Sequence, residues 1–217
     1  MRATIGVLAL QGDFHEHAVS LRALGAEACE VRKPEQLVGL DGLIIPGGES
    51  TTIARLLLAY DLHEPIRELG AEGLPIWGTC AGAILLAEDV PGLDRPALGL
   101  LPMTVERNAF GRQIDSFETD LDAGVLPPGP SGAPMPYHAI FIRAPRIRSV
   151  RAGVEVRMTL QEEPVVVRYE RLLATTFHPE LTDDRRWHAY FLQQLVDRAG
   201  AVVEPVASSP AVAGGGA

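Results

Sequence analysis

Lysine is almost missing from this chain of 217 residues: Lys33 is its only one, and arginine carries the rest of the positive charge. Schiff-base chemistry would have to run through Lys33, which sits beside Pro34 at an expected strand end, so that chemistry is set aside. Cysteine is nearly as scarce, with Cys29 and Cys80 alone. Two thiols make no disulfide framework, and both are expected to be reduced. No apolar run approaches the ~20 residues that span a bilayer. The opening "MRATIGVLAL" lacks the long apolar stretch and small-residue cleavage site of a secretory signal. A cytoplasmic location is the expectation. Positive charge is short overall, 19 Lys and Arg against 28 Asp and Glu for a net charge of −9, which argues against general binding to nucleic acid or anionic membranes. Hydrophobic residues make up 47% of the chain, enough for a core that needs neither disulfides nor a structural metal.

The first half alternates between two patterns. "ATIGVLAL" (3–10) has the unbroken apolar character of a buried parallel strand. Asp13 is placed to cap a helix whose apolar residues Phe14, Ala18, Leu21 and Leu24 recur at helical spacing, with Gly25 ending it. "AEACEV" (26–31) and "DGLIIPGG" (41–48) read as strands, "ESTTIARLLLAY" (49–60) as a helix, "LPIWGTC" (74–80) as a strand and "AGAILLAED" (81–89) as a helix. Strand and helix in turn predict a parallel sheet covered on both faces. The second half changes character. "PMTVERNAF", "DSFETDL", "AIFIRAP", "VEVRMTL", "EPVVVRYE" and "LLATTFHPE" are short strand-like pieces, read as antiparallel additions to the same sheet, and a last helix is expected over 184–200. The Pro/Gly-rich stretch at 126–136 reads as a surface excursion, and the tail from 201 to 217 as disordered beyond a domain of residues 1–200.

Three short motifs fall at strand-to-helix junctions or strand ends. Gly78-Thr79-Cys80-Ala81-Gly82 has the small-x-nucleophile-x-small form of a nucleophile elbow, a tight turn in which a Cβ on either flank would strike backbone. The helix that follows favours a thiolate at Cys80; the bland alternative is a small buried hydrophobe, which is how Cys29 reads. A cysteine nucleophile needs a base, and the base an orienter. His15, His17, His63 and His188 stand among charged neighbours in helical contexts and read as solvated, while His138 adjoins the Pro-rich stretch. His178 differs: Pro179 after it favours extended backbone, which would send His178 and Glu180 to one side. In "IIPGGEST" (44–51), two glycines before a helix leave backbone N–H groups free to act as an oxyanion hole, with Gly48 and Ala81 as the donors.

"GTCAG", "HPE" and "PGGEST" together resemble the triad-type class I glutamine amidotransferases, and "IGVLALQGDFHEH", "VERNAFGRQIDSFE" and "FIRAP" resemble more narrowly the glutaminase subunits of pyridoxal 5′-phosphate synthase, the PdxT family. The resemblance runs from about residue 4 to 197. It implies a flavodoxin-like three-layer α/β sandwich with a central, mostly parallel sheet and antiparallel additions. It implies Cys80 as nucleophile with His178 and Glu180 completing the triad, and glutamine bound by Gly48, Glu49, Ser50, Arg107, Ile142 and Arg143. The two arginines could equally be surface residues, or the contacts could be made by backbone. No cofactor or metal is implied. The ammonia would pass to a separate synthase subunit in a hetero-oligomer, which also fits the scarcity of lysine. Rival readings are the glutaminase subunit of imidazole glycerol phosphate synthase, a flavodoxin-like cysteine hydrolase or chaperone, and a binding subunit with a decayed site.

Overall fold

The computed structural model describes residues 2–107, 116–128 and 135–196. The tail, "NAFGRQID" and the middle of the Pro-rich stretch lie outside the described residues. The first strand, β1 (Thr4–Leu8), leads through a loop to α1 (Phe14–Ala23) and then β2 (Glu27–Val31), with Gly25 at φ 84° turning the chain between them. β3 (Gly42–Ile45) precedes α2 (Ser50–Ala59) and α3 (His63–Ala71), and β4 (Ile76–Thr79) precedes the short α4 (Ala81–Leu86). Eight further strands follow: β5 (Ala87–Asp89), β6 (Leu101–Glu106), β7 (Ser116–Leu121), β8 (Tyr137–Ile142), β9 (Arg146–Val150), β10 (Glu155–Leu160), β11 (Glu163–Tyr169) and β12 (Leu172–Thr175). The final helix α5 (Arg186–Phe191) continues as one π-helical segment over Leu192–Val196.

The central sheet has seven strands in the order β10-β11-β12-β4-β3-β1-β2. Five of them, β2, β1, β3, β4 and β12, are parallel, while β11 and β10 extend the edge antiparallel. With β12 in fifth place the parallel part follows the doubly wound 2-1-3-4-5 order of flavodoxin-like folds, in which ligands sit at the carboxyl ends of the strands. The expectation that all the short strands join this sheet is corrected. Only "VEVRMTL" and "EPVVVRYE" do so antiparallel, and "LLATTFHPE" contributes the parallel β12. β5, β6 and β9 form a sheet of their own, and β7 pairs with β8 in another. Alternation of apolar residues identifies a strand but not its partner.

Side chains alternate across the central strands and feed two cores. Leu43, Ile45 and Ile76 pack with Ile53, Leu57, Ile66 and Leu85 of α2, α3 and α4, and with Met103 and Ile147 of the three-stranded sheet. On the other face Ile5, Val7, Ile44 and Trp77 meet Ala18 and Leu21 of α1, Trp187 and Phe191 of α5, and Tyr137 and Phe141 of the β7–β8 pair. At roughly 25 cal/mol per Å² of apolar surface removed from water, these two interfaces supply most of the driving force that fixes the layers.

The first face also carries an element the sequence did not announce. α3 lies over 63–71, in a stretch where only Ile66 is buried among the apolar residues of the helix. Three of the histidines expected in water are buried, His17 and His188 on the other face and His63 on α3 itself. His17 and His188 have no exposure at all, and His63 has 6%. His63 satisfies its ring with Nε2 at 3.1 Å from the Ala97 carbonyl oxygen.

Candidate active site

Four adjacent strands end at one place. Gln11 follows β1, Gly48 follows β3, Cys80 follows β4 and His178 follows β12, all at the carboxyl edge of the sheet. They surround a cavity of about 230 Å³, which Glu49, Ser50, Ala81, Arg107, Ile142 and Arg143 also line. That is below the roughly 300–1,000 Å³ of drug-sized clefts, and suits one small polar molecule.

Cys80 occupies the turn between β4 and α4 with φ 48° and ψ −102°, a conformation most residues avoid. The glycines on either side make it possible. A Cβ at Gly78 would lie 2.4 Å from the carbonyl of Gly82, and one at Gly82 would lie 2.0 Å from the carbonyl oxygen of Ile45. The turn leaves the cysteine 5% exposed with Sγ 3.8 Å from the Ile142 carbonyl oxygen. α4 is six residues long, so its dipole contributes little beside the ring of His178.

His178 is 4% exposed, and its Nδ1 lies 2.7 Å from Oε1 of the buried Glu180. Nε2 is therefore left for Cys80, whose side chain also acts on the ring. Burial opposes a charged imidazole, but the hydrogen bonds to Cys80 and Glu180 outweigh it and raise His178 to about 10. Burial also raises Glu180, with His178 pulling against that shift. The expected extended geometry is corrected: Pro179–Leu181 forms a 3-10 turn, and that turn brings residues 178 and 180 together.

Gly47 packs close against this imidazole, since a Cβ there would sit 2.4 Å from its Cε1. The Gly47 carbonyl accepts a hydrogen bond from the Asp13 N–H at 3.4 Å. Peptide planarity then puts the Gly48 N–H on the side away from the β1–α1 loop. Gly48 has φ 152°, and a side chain there would strike Gln11, whose Oε1 instead accepts the Glu49 N–H at 2.7 Å. Ala81 begins α4, where an N–H has no acceptor within the helix.

The remaining residues divide by what occupies their side chains. Glu49 caps α2: its carboxylate accepts from the Thr51 and Thr52 N–H groups at 3.0 and 2.7 Å and from the Thr52 hydroxyl at 2.6 Å. Burial opposes the charge, but those donors together outweigh it and hold the carboxyl at about 2. Its side chain is thus committed to structure. Arg107 donates to the Thr51 hydroxyl at 2.9 Å and to the Gly92 carbonyl, leaving Nε buried without a partner among the described residues. Arg143 stands at φ 43°.

Asp13 precedes α1 but makes no side-chain cap. Its Oδ2 lies 3.7 Å from His178 Nδ1, and it lines the cavity instead. Sequence reading also missed His17, which lies 3.3 Å from Glu180 Oε2. Its neighbours Glu16 and His15 point elsewhere on the helix, whereas His17 stands four residues before the buried Leu21. Helical spacing, rather than the charge of adjacent residues, was the usable signal.

Strand ends of a flavodoxin-like sheet that gather a strained cysteine, a paired histidine and a carboxylate around a small cavity are the architecture of a glutamine amidotransferase. The model of the SNO glutamine amidotransferase family matches residues 7–197, and the chain belongs to that family. Its relatives include a protein of Moorella thermoacetica, 53% identical over 191 residues covering 88% of this chain and 98% of that one, named pyridoxal 5′-phosphate synthase subunit PdxT. A protein of the same name from Pelotomaculum thermopropionicum is 55% identical over 196 residues, 90% of this chain and 96% of its own. A crystal structure described as a glutamine amidotransferase superposes with a TM-score of 0.80 at 51% identity, covering 87% of this chain and 97% of that one.

Proposed function

We propose that this protein is the glutaminase subunit of a pyridoxal 5′-phosphate synthase, with Cys80, His178 and Glu180 as its triad. The reading rests above all on the 2.7 Å contact between His178 Nδ1 and Glu180 Oε1, which turns the other ring nitrogen to Cys80 at the wall of the cavity. The kinship with proteins named PdxT supports the assignment of the product's destination.

The chemistry follows from the charges. Against its burial, hydrogen bonds to Cys80 and Glu180 favour the imidazolium form of His178, and an imidazolium beside a thiol makes it a better nucleophile. Sγ attacks the γ-carboxamide carbon of glutamine, and the carbonyl oxygen takes up the electron pair against the N–H groups of Gly48 and Ala81. His178 gives its proton to the amide nitrogen as the C–N bond breaks, releasing ammonia and leaving a γ-glutamyl thioester. Water then gives a proton to His178 and adds to the thioester carbon, glutamate departs, and the thiolate–imidazolium pair is restored. Glu180 stabilises the imidazolium throughout. Glutamine itself is held by Glu49 and Ser50 at the start of α2, by Ile142 and Arg143, and by Arg107, all of which line the cavity. Ammonia passes to the synthase subunit within a hetero-oligomer.

The test is glutamate release from glutamine with a pyridoxal 5′-phosphate synthase partner titrated in. Cys80→Ala and His178→Asn should each lose several orders of magnitude, and Glu180→Gln less. Turnover near the wild-type rate in Cys80→Ala would remove the covalent mechanism.

A further inference from the structure

Behind the cavity, between α1, α5 and the sheet, lies a pair of histidines that the mechanism above does not use. His17 and His188 are both without exposure, and His17 Nδ1 stands 2.9 Å from His188 Nε2. On its other side, His17 Nε2 is 3.2 Å from Thr79 Oγ1 and 3.3 Å from Glu180 Oε2. That carboxylate oxygen is buried and has no well-aligned hydrogen bond of its own. A charged oxygen left in such a place is expensive unless a donor faces it.

We infer that His17 is a positioning residue for the proposed triad: its Nε2–H, fixed by His188, faces the second oxygen of Glu180 and holds the first on His178. The inference rests on the triad reading and extends it by two residues into the far layer.

The proton placement follows from counting donors. Burial, then the neighbouring His188 and His178, lower His17 well below an ordinary imidazole, and burial, then Arg185, bring His188 to about 3. Both rings are therefore neutral at pH 7, and one proton lies between them. If His17 Nδ1 carried it, the lone pair of His17 Nε2 could accept from the Thr79 hydroxyl but would also lie 3.3 Å from a carboxylate oxygen with no donor. His188 would then hold its proton on Nδ1, which is buried and has no partner among the described residues. If His188 Nε2 carries it, the His17 Nε2–H lies between Thr79 Oγ1 and the carboxylate, and His188 Nδ1 is left only as an unused acceptor. The second arrangement removes both the repulsion and the orphaned donor.

Five groups bear on Glu180: His178 beside it, its own backbone N–H, Asp13 from the β1–α1 loop, His17 from α1 and the Tyr137 hydroxyl from β8. Among the side chains, His178 and His17 can supply an N–H. Removing the His17 donor should favour protonated Glu180, so the acidic limb of the rate profile moves up. It also weakens support for the His178 imidazolium, so the basic limb moves down.

The experiment uses two amides of like polarity. His17→Gln places its NH₂ near the Nε2 position, and His17→Asn near Nδ1. Glutaminase kcat, KM and their pH profiles are measured with the synthase partner present, beside Cys80→Ala. His17→Gln should stay within about threefold of wild type. His17→Asn should lose about 10- to 100-fold in kcat with KM unchanged, and its profile should narrow by about one pH unit on each limb. Unaltered kcat and limbs in His17→Asn would overturn the inference, as would equal losses in both variants with the limbs unmoved. Cys80→Ala reports separately on the triad: if it retains turnover, the functional reading fails whatever the His17 variants do.

Discussion

Gly82→Ala isolates the geometry of the elbow in a single methyl group. Gly82 lies inside α4, where alanine is the better helix former by about 1 kcal/mol, so local propensity alone predicts a stabilised protein. Packing predicts the reverse. The new Cβ would stand 2.0 Å from the carbonyl oxygen of Ile45 and 2.8 Å from its carbonyl carbon, where contact begins near 3.4 Å. The obstacle is backbone at the end of β3, so no rotamer change can relieve it, and α4 must move away by more than an ångström. Overpacking of this kind costs about 1–3 kcal/mol, and rigid backbone puts the cost at the upper end. After the propensity gain, a net loss of about 1–2 kcal/mol remains, or a fall in Tm of about 2–8 °C. The same displacement carries Cys80, two residues away, out of line with His178, and misplacement of about 1 Å can cost about 100-fold in turnover. Thermal unfolding and glutaminase kcat measured on one preparation give both numbers. An unchanged or higher Tm with kcat within twofold of wild type would refute the reasoning, because the close approach could not then be as described.

Two further predictions concern groups whose environments differ from their ordinary ones. Glu49→Ala should lower stability by about 1 kcal/mol at pH 7, a value discounted for the exposure of the carboxylate. Because Glu49 is held near 2 against an ordinary 4.5, that contribution is complete above pH 4.5 and is lost as pH falls toward 2. Urea unfolding of both proteins at pH 7, 4 and 3 should show the gap closing; a gap constant with pH would contradict the capping role. Iodoacetamide at pH 7 should modify Cys80 well ahead of Cys29, whose thiol is pushed up by burial and then by Glu27, and glutamine should protect Cys80. Equal rates on the two peptides would remove the case for an activated cysteine.

What could be seen in the sequence was whatever a single segment decides. Gly78, Cys80 and Gly82 announce a turn that only small flanks permit, and Pro-Gly-Gly before α2 announces another, so both cavity walls could be placed from local chemistry. Strands alternating with helices announced a parallel sheet covered on both faces, and its flavodoxin-like character came with the family resemblance. Partnership was not legible, because the apolar alternation of β6 and β8 is equally good on any sheet face. α3 escaped because its segment "HEPIRELGA" carries its proline in the first turn and gives little else to a short apolar stripe. His17 and His188 were misplaced for a related reason. The residues adjoining them in sequence are charged, but a step of one along a helix turns the side chain by about 100°, and each histidine lies on the face of its own helix that meets Trp77. The turn at Pro179 brings the His178 and Glu180 side chains to 2.7 Å by a route the extended reading did not contain.

The central claim is that Cys80 carries the glutamyl group. Acid quenching of the enzyme during turnover with glutamine, in the presence of the synthase partner, followed by peptide mapping in a mass spectrometer, tests it most directly. The account predicts a mass increase of one glutamyl group on the peptide containing Cys80, discharged by hydroxylamine as a thioester is, and no such adduct in Cys80→Ala. Steady glutamate release with no adduct on Cys80, or an adduct on any other residue, would contradict it.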